Sequence, residues 1–219
     1  MRGLALATLL SASAAIAAAS GLLPAVGLFV FKPLTTLMVF VHAWRRDGGP
    51  PIVRRAVLFG LVLSLAGDVA LLWPQPGFLP GLVCFLLAHL AYLLAFTRLV
   101  RFAARPLPFI AYAALAGAVL SQLWPGVPTA LRVPVLAYVL CLAAMAAQTA
   151  VVWRASAHNG DARRAAGLAV GGLLFLVSDT LLATDRFHGA LPQAAACVLG
   201  TYWAAQWCIA SWLRPNRFS

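Results

Sequence analysis

Charge is what this chain has least of. Of 219 residues 10% are charged, only five are acidic, and Lys32 is the single lysine. With 63% hydrophobic residues and a mean hydropathy of +0.92, the chain carries more apolar side chain than a soluble core of this size can bury, which excludes a soluble globular enzyme. Cysteine is also scarce. Cys84, Cys141, Cys197 and Cys208 show neither a CxxC pair nor Cys/His ligand spacing, so a disulfide framework and a structural zinc site are both excluded and the thiols read as small packing residues. No connection is long enough for a separate soluble domain. The whole of 1–219 therefore reads as one polytopic membrane domain.

What is present is a series of apolar runs of the length an α-helix needs to cross the hydrocarbon core, not the alternating segments of an outer-membrane barrel. The fold class expected is an all-α integral membrane protein, a bundle of eight transmembrane helices. The spans fall at about 3–20, 24–44, 55–73, 78–98, 106–124, 132–153, 165–184 and 191–213. Turn and breaker clusters separate them: Arg45 to Pro51, Pro74 to Gly77, Arg105-Pro106, Pro125 to Pro128 and His158 to Asp161. Residues 1–20 also have the layout of a secretory signal, with Arg2, an apolar stretch and Ala17-Ala18-Ala19-Ser20. The reading adopted is an uncleaved first helix.

The net charge of +11 would suggest nucleic acid in a soluble protein, but these arginines flank spans instead of forming one basic surface, so no nucleic-acid partner is expected. Under eight spans thirteen arginines fall on one side, only Arg132 and Arg186 fall on the other, and Lys32 lies within a span. The positive-inside rule then puts both termini in the cytoplasm. An Arg- and Ala-rich chain with one lysine suggests a high-GC bacterium and hence a bacterial cytoplasmic (inner) membrane. Trp44, Trp73, Trp124, Trp153 and Trp212 near span ends fit an interfacial belt, whereas Trp203 and Trp207 read as packing.

Two of the five acidic residues, Asp68 in Ser64-Leu65-Ala66-Gly67-Asp68 and Asp179 in Val177-Ser178-Asp179-Thr180, sit inside apolar runs. A carboxylate there costs roughly 2.5 to 3.5 kcal/mol on insertion scales, so it marks a bundle interior or a polar cavity. At about 1.5 Å per residue both lie roughly 7 Å from the outer end of their spans, with Lys32 roughly 12 Å and His89 roughly 16 Å deep. Gln206, at roughly 21 Å, is the deepest. Lys32, Thr35 and Thr36 share one helical face, His89 and Tyr92 form an i, i+3 pair, and Tyr202 and Gln206 form an i, i+4 pair. These polar groups either gather around the aspartates or simply join helices. Two carboxylates in one apolar cavity do not comfortably both ionise, so their roles are expected to differ.

Phe31-Lys32-Pro33-Leu34-Thr35-Thr36, Ser64 to Asp68, Gly81 to Tyr92 with its Ala88-His89-Leu90-Ala91-Tyr92, Leu174 to Ala183, and Thr201 to Gln206 resemble, in order, the YhhN-type membrane family, whose characterised animal members are lysoplasmalogenases. The resemblance implies a membrane hydrolase that cleaves the vinyl ether bond of a lysophospholipid in the bilayer, giving a fatty aldehyde and glycerophosphoethanolamine or glycerophosphocholine. It implies Asp68 and Asp179 as catalytic acid and base, with Lys32, Ser64, His89, Tyr92, Ser178, Tyr202 and Gln206 around the substrate. Lys32 either holds the phosphate or tunes a carboxylate. No cofactor and no metal are expected, because the reaction needs a proton donor and a nearby carboxylate and the His and Cys residues show no ligand spacing for a zinc amidohydrolase. A transporter or lipid-binding protein would gather the same intramembrane Asp, Lys and His and is the alternative class. Nothing in the sequence specifies an oligomeric state.

Overall fold

The computed structural model describes residues 2–46, 48–157 and 160–214. Asp47, His158, Asn159 and Arg217, used in the sequence reading, lie outside the described residues. The described residues form eight α-helices: α1 (Arg2–Ala19), α2 (Val26–Trp44), α3 (Pro51–Ala70), α4 (Phe78–Thr97), α5 (Pro106–Leu123), α6 (Arg132–Ser156), α7 (Ala162–Phe187) and α8 (Ala194–Trp212). Two short 3₁₀ turns, Trp124–Gly126 and Thr129–Leu131, connect α5 to α6. No strand occurs among the described residues, where Gly48 and Arg214 form an isolated bridge.

Among the described residues five segments are long and apolar enough to cross a membrane: Val26–Trp44, Phe78–Thr97, Pro106–Gly126, Thr129–Ser156 and Ala162–Phe187. The chain is an integral membrane protein. The other three helices carry more polar matter: α3 includes Arg54, Arg55 and Asp68, and α8 includes Tyr202 and Gln206. The apolar part of α1, Gly3–Ala19, is shorter. Large apolar side chains such as Leu9 (65% exposed), Phe59 (59%) and Leu140 (63%) point outward, as expected where lipid tails rather than water cover the surface.

Helix ends follow local chemistry. Pro51 and Pro106 occupy the first turns of α3 and α5, where a missing N–H costs nothing, after extended Pro50 and Arg105. This starts α3 four residues before the expected span, and the turn through Leu71 to Gly77 ends it three residues early. Asp68 is therefore two residues from the end of α3, while α7 continues to Phe187, eight residues past Asp179. The equal depth expected for the two aspartates, counted from span ends, does not hold.

Packing closes α2, α3, α4, α6, α7 and α8 into a ring, with α1 outside against α2 and α8, and α5 outside against α6. At close crossings small residues let backbones approach. Gly171 faces α8, where an added methyl would lie 2.8 Å from Cys208 Cβ and 3.1 Å from the Ala205 carbonyl oxygen. Its neighbour Gly172 faces α6, where an added methyl would strike the Thr149 hydroxyl. Thr35 does not share the direction of Lys32. Its hydroxyl donates to the Phe31 carbonyl at 2.7 Å and meets Ser11 of α1 at 2.8 Å. Buried Gln148 of α6 ties down the α4–α5 connection, donating to Val100 O at 2.8 Å and accepting from the Ala103 N–H at 3.3 Å.

The connections gather at two ends. At one end the segments after α1, α3, α5 and α7 all contribute to a single cavity. At the other end Gly48 pairs with Arg214, Arg214 pairs with Asp161, and Arg54 donates to the Trp44 and Arg46 carbonyls. The described arginines outside Arg132 and Arg186 belong to this second end.

Candidate functional site

A cavity of about 750 Å³ opens at the first end of the bundle and is walled mainly by Leu, Val, Ala and Phe. Its polar lining includes groups from different helices: Lys32 from α2, Asp68 from α3, Tyr138 from α6, Ser178, Asp179, Asp185 and Arg186 from α7, and Tyr202 from α8. Concave, mostly apolar pockets of this size with a few convergent polar groups are the usual form of a small-molecule site.

Asp68 is 1% exposed and is the most heavily contacted group. Its Oδ2 accepts from Thr36 Oγ1 at 2.5 Å and from the Tyr202 hydroxyl at 2.8 Å, while Oδ1 lies 3.7 Å from Lys32 Nζ. Trp203 Nε1 donates to Thr36 Oγ1 at 3.0 Å, so Thr36 hands on one hydrogen bond as it receives another. Three helices thus converge on one carboxylate. Buried carboxylates need such pairing, since an isolated one costs several kcal/mol after relaxation.

Asp179 stands on the same cavity wall with a single donor among the described residues, the Tyr138 hydroxyl, at 2.5 Å from Oδ2. No cation pairs with it among the described residues. The two aspartates therefore share a cavity and differ in company: one has a lysine and two hydroxyls, the other one hydroxyl. Ser178, also on the wall, donates to the Val198 carbonyl at 3.0 Å and so joins α7 to α8.

The other four expected site residues stand behind that wall. Gln206 donates to the Tyr202 hydroxyl at 3.4 Å and accepts from the Tyr92 hydroxyl at 2.8 Å, and Ser64 lies 3.5 Å from Tyr92. This chain supports Tyr202 from below. His89 is fully buried among Tyr138, Phe175 and Tyr92, its ring 5.3 Å from Tyr138 and 4.6 Å from Phe175 between centroids, and neither ring nitrogen has a hydrogen-bond partner among the described residues. No three His, Cys, Asp or Glu side chains gather as a metal site among the described residues.

Tyr138 is absent from the expected site, Trp203 reads there as packing alone, and Thr36, rightly placed on the face of Lys32, is not connected there to Asp68. Tyr138 lies in the apolar run Val135-Leu136-Ala137-Tyr138-Val139-Leu140, with no polar neighbour to flag it. The usable signal was the hydroxyl itself, because a tyrosine deep in a membrane helix needs a partner. Trp203 is packing and donor at once.

Residues 27–213 match the YhhN family. The chain belongs to the YhhN family. Lysoplasmalogenase TMEM86B of Sus scrofa is 38% identical to it over 177 residues, a match covering 80% of this chain and 69% of that protein. Lysoplasmalogenase TMEM86B of Homo sapiens is 37% identical over 80% of this chain and 69% of its own length. A lysoplasmalogenase of Mycobacterium bovis is 31% identical over 70% of this chain and 58% of its own length. No solved structure matches the chain. The YhhN match runs from α2 to α8 and so includes every ionisable side chain that lines the cavity, with α1 outside it.

Proposed function

We propose that this YhhN protein is a single polytopic membrane domain that hydrolyses the vinyl ether of lysoplasmalogen-type lysolipids, releasing a fatty aldehyde and a glycerophospho-alcohol. The observation that carries this reading is the pair of differently partnered aspartates, Asp68 and Asp179, on the wall of one apolar cavity. An apolar chamber suits the hydrocarbon chain. Two carboxyl groups suit a bond whose cleavage begins with proton transfer to carbon.

The asymmetry of partners supports different roles for the two. Asp179, with one donor and no cation, is the acid and delivers its proton to the β-carbon of the vinyl ether, leaving an oxocarbenium ion. Asp68, with Lys32, Thr36 and Tyr202 around it, is the carboxylate that faces the developing positive charge and takes a proton from the attacking water, whose oxygen bonds to the adjacent carbon. The resulting hemiacetal collapses: its hydroxyl proton returns to Asp179, the carbon–oxygen bond to glycerol breaks, and Asp68 passes its proton to the departing oxygen. Both groups end as they began. One water is consumed.

In this reading all eight helices cross a bacterial inner membrane, both termini are cytoplasmic and the cavity opens toward the outer face. The concentration of arginines at the opposite end supports that orientation. The deciding assay gives detergent-purified protein a panel of lysolipids and scores aldehyde separately from fatty acid. Aldehyde from 1-alkenyl lysolipids is expected, falling about 10² to 10⁴-fold in monodisperse Asp68→Asn and Asp179→Asn proteins. Fatty acid as the main product, no aldehyde at all, or full turnover in either variant overturns the reading.

A further inference from the structure

We infer that Arg186 is the phosphate-recognition residue of this cavity and fixes the substrate with its headgroup at the mouth and its chain inward. The inference rests on the lysolipid reading above. Arg186 is in the last turn of α7 and lines the same cavity as Asp179, seven residues away on the same helix. Seven residues are nearly two turns, so the side chains share a face about 10.5 Å apart along the axis. A single glycerol separates the vinyl ether from the phosphate of a lysoplasmalogen, a reach of the same order. With the reacting bond at Asp179, the phosphate arrives at Arg186.

The local contacts prepare the guanidinium for an anion. Its Cζ lies 4.9 Å from the centre of the Phe78 ring, which is itself edge-on to Phe187. A guanidinium held over an aromatic face can still offer an N–H edge for the bidentate contact that phosphate accepts. No carboxylate pairs with Arg186 among the described residues. Its neighbour Asp185, also on the wall, is committed elsewhere, with Oδ1 accepting the Leu191 N–H at 2.8 Å. The other cation of the cavity, Lys32, is held by Asp68. Beside this mouth Gln193 takes the left-handed conformation, φ 53°, rare for a residue with a Cβ, and its side chain joins the cavity lining. Strain of this kind concentrates at ligand-binding positions.

The test compares wild type, Arg186→Gln and Arg186→Lys on two substrates in mixed micelles, a 1-alkenyl-glycerophosphoethanolamine and the phosphate-free 1-alkenylglycerol. Arg186→Gln should raise KM for the phosphate-bearing lipid about tenfold or more, the value of one charge-assisted contact, with kcat little changed. KM for the phosphate-free lipid should stay as in wild type, and Arg186→Lys should recover part of the loss. A second readout needs no turnover: thermal stabilisation by the saturated 1-alkyl lysophospholipid against that by 1-alkylglycerol. Wild type should be stabilised more by the phosphate-bearing lipid, and Arg186→Gln should lose that difference while melting normally without ligand. Equal KM shifts on both substrates, or stabilisation that does not distinguish the variants, overturns the assignment. Selective loss of stabilisation in a protein that releases no aldehyde would retain the phosphate site and overturn the hydrolase reading alone.

Discussion

Asp68→Asn removes the counter-charge of a lysine that is only 8% exposed. Taking one partner from a buried ion pair costs about 3 to 5 kcal/mol, because the remaining charge stays desolvated. The 3.7 Å separation and the place of Lys32 on a cavity wall put this pair at the lower end, about 3 kcal/mol. For a chain of this length each kcal/mol moves Tm by about 2 to 4 °C, so the shift is about 6 to 12 °C. Asp179→Asn is the same chemical change without that penalty. Its amide oxygen still accepts from Tyr138, no cation is orphaned, and the loss stays below about 1 kcal/mol. Thermal unfolding of the purified proteins in one detergent separates the two, and Lys32→Met combined with Asp68→Asn should recover more than half of the loss, since the pair is coupled. Equal melting of Asp68→Asn and Asp179→Asn, or no recovery in the double variant, would refute the claim that Asp68 holds Lys32 as an ion pair.

The arginine asymmetry predicts that a topology reporter fused after the last residue is cytoplasmic and one inserted between Pro74 and Gly77 is external; an external C-terminal reporter contradicts eight crossings. Gly126 is packed against the Phe187 carbonyl with no room for a methyl, whereas Gly117 has open space. Gly126→Ala should therefore destabilise by about 1 to 3 kcal/mol and Gly117→Ala should be neutral or stabilise by up to about 1 kcal/mol, read as paired melting temperatures.

The helices were legible because apolar runs and proline punctuation act locally. Lys32, Asp68, Ser178, Asp179 and Tyr202 were legible as cavity candidates for a related reason: a polar group in an apolar run stands out one residue at a time. What the sequence hid depends on partners far along the chain. Tyr138 meets Asp179 across 41 residues and Trp203 meets Thr36 across 167, and no helical spacing encodes either. Periodicity also blurred direction. Thr35 and Thr36 are adjacent, yet one turns to α1 and the other to Asp68. His89, Tyr92, Ser64 and Gln206 were rightly polar and deep, but depth alone does not separate a wall from the layer behind it. Arg186 reads only as a charge on the sparse side, because the cavity mouth exists only once the end of α7 meets Phe78 at the start of α4.

The adjacent glycines of α7 have a mechanical meaning. With Gly171 against α8 and Gly172 against α6, and Ser178 bonded to the Val198 carbonyl, the helix is held like a shaft between two close bearings and blocked from moving sideways. Asp179 is seven residues beyond Gly172 and so on the same face. Its distance from α6 is metered two turns upstream by backbone contact. Under the proposed hydrolysis, a bulkier lipid could not push Asp179 aside without breaking that packing, so accommodation would fall to the flexible chain of the lipid.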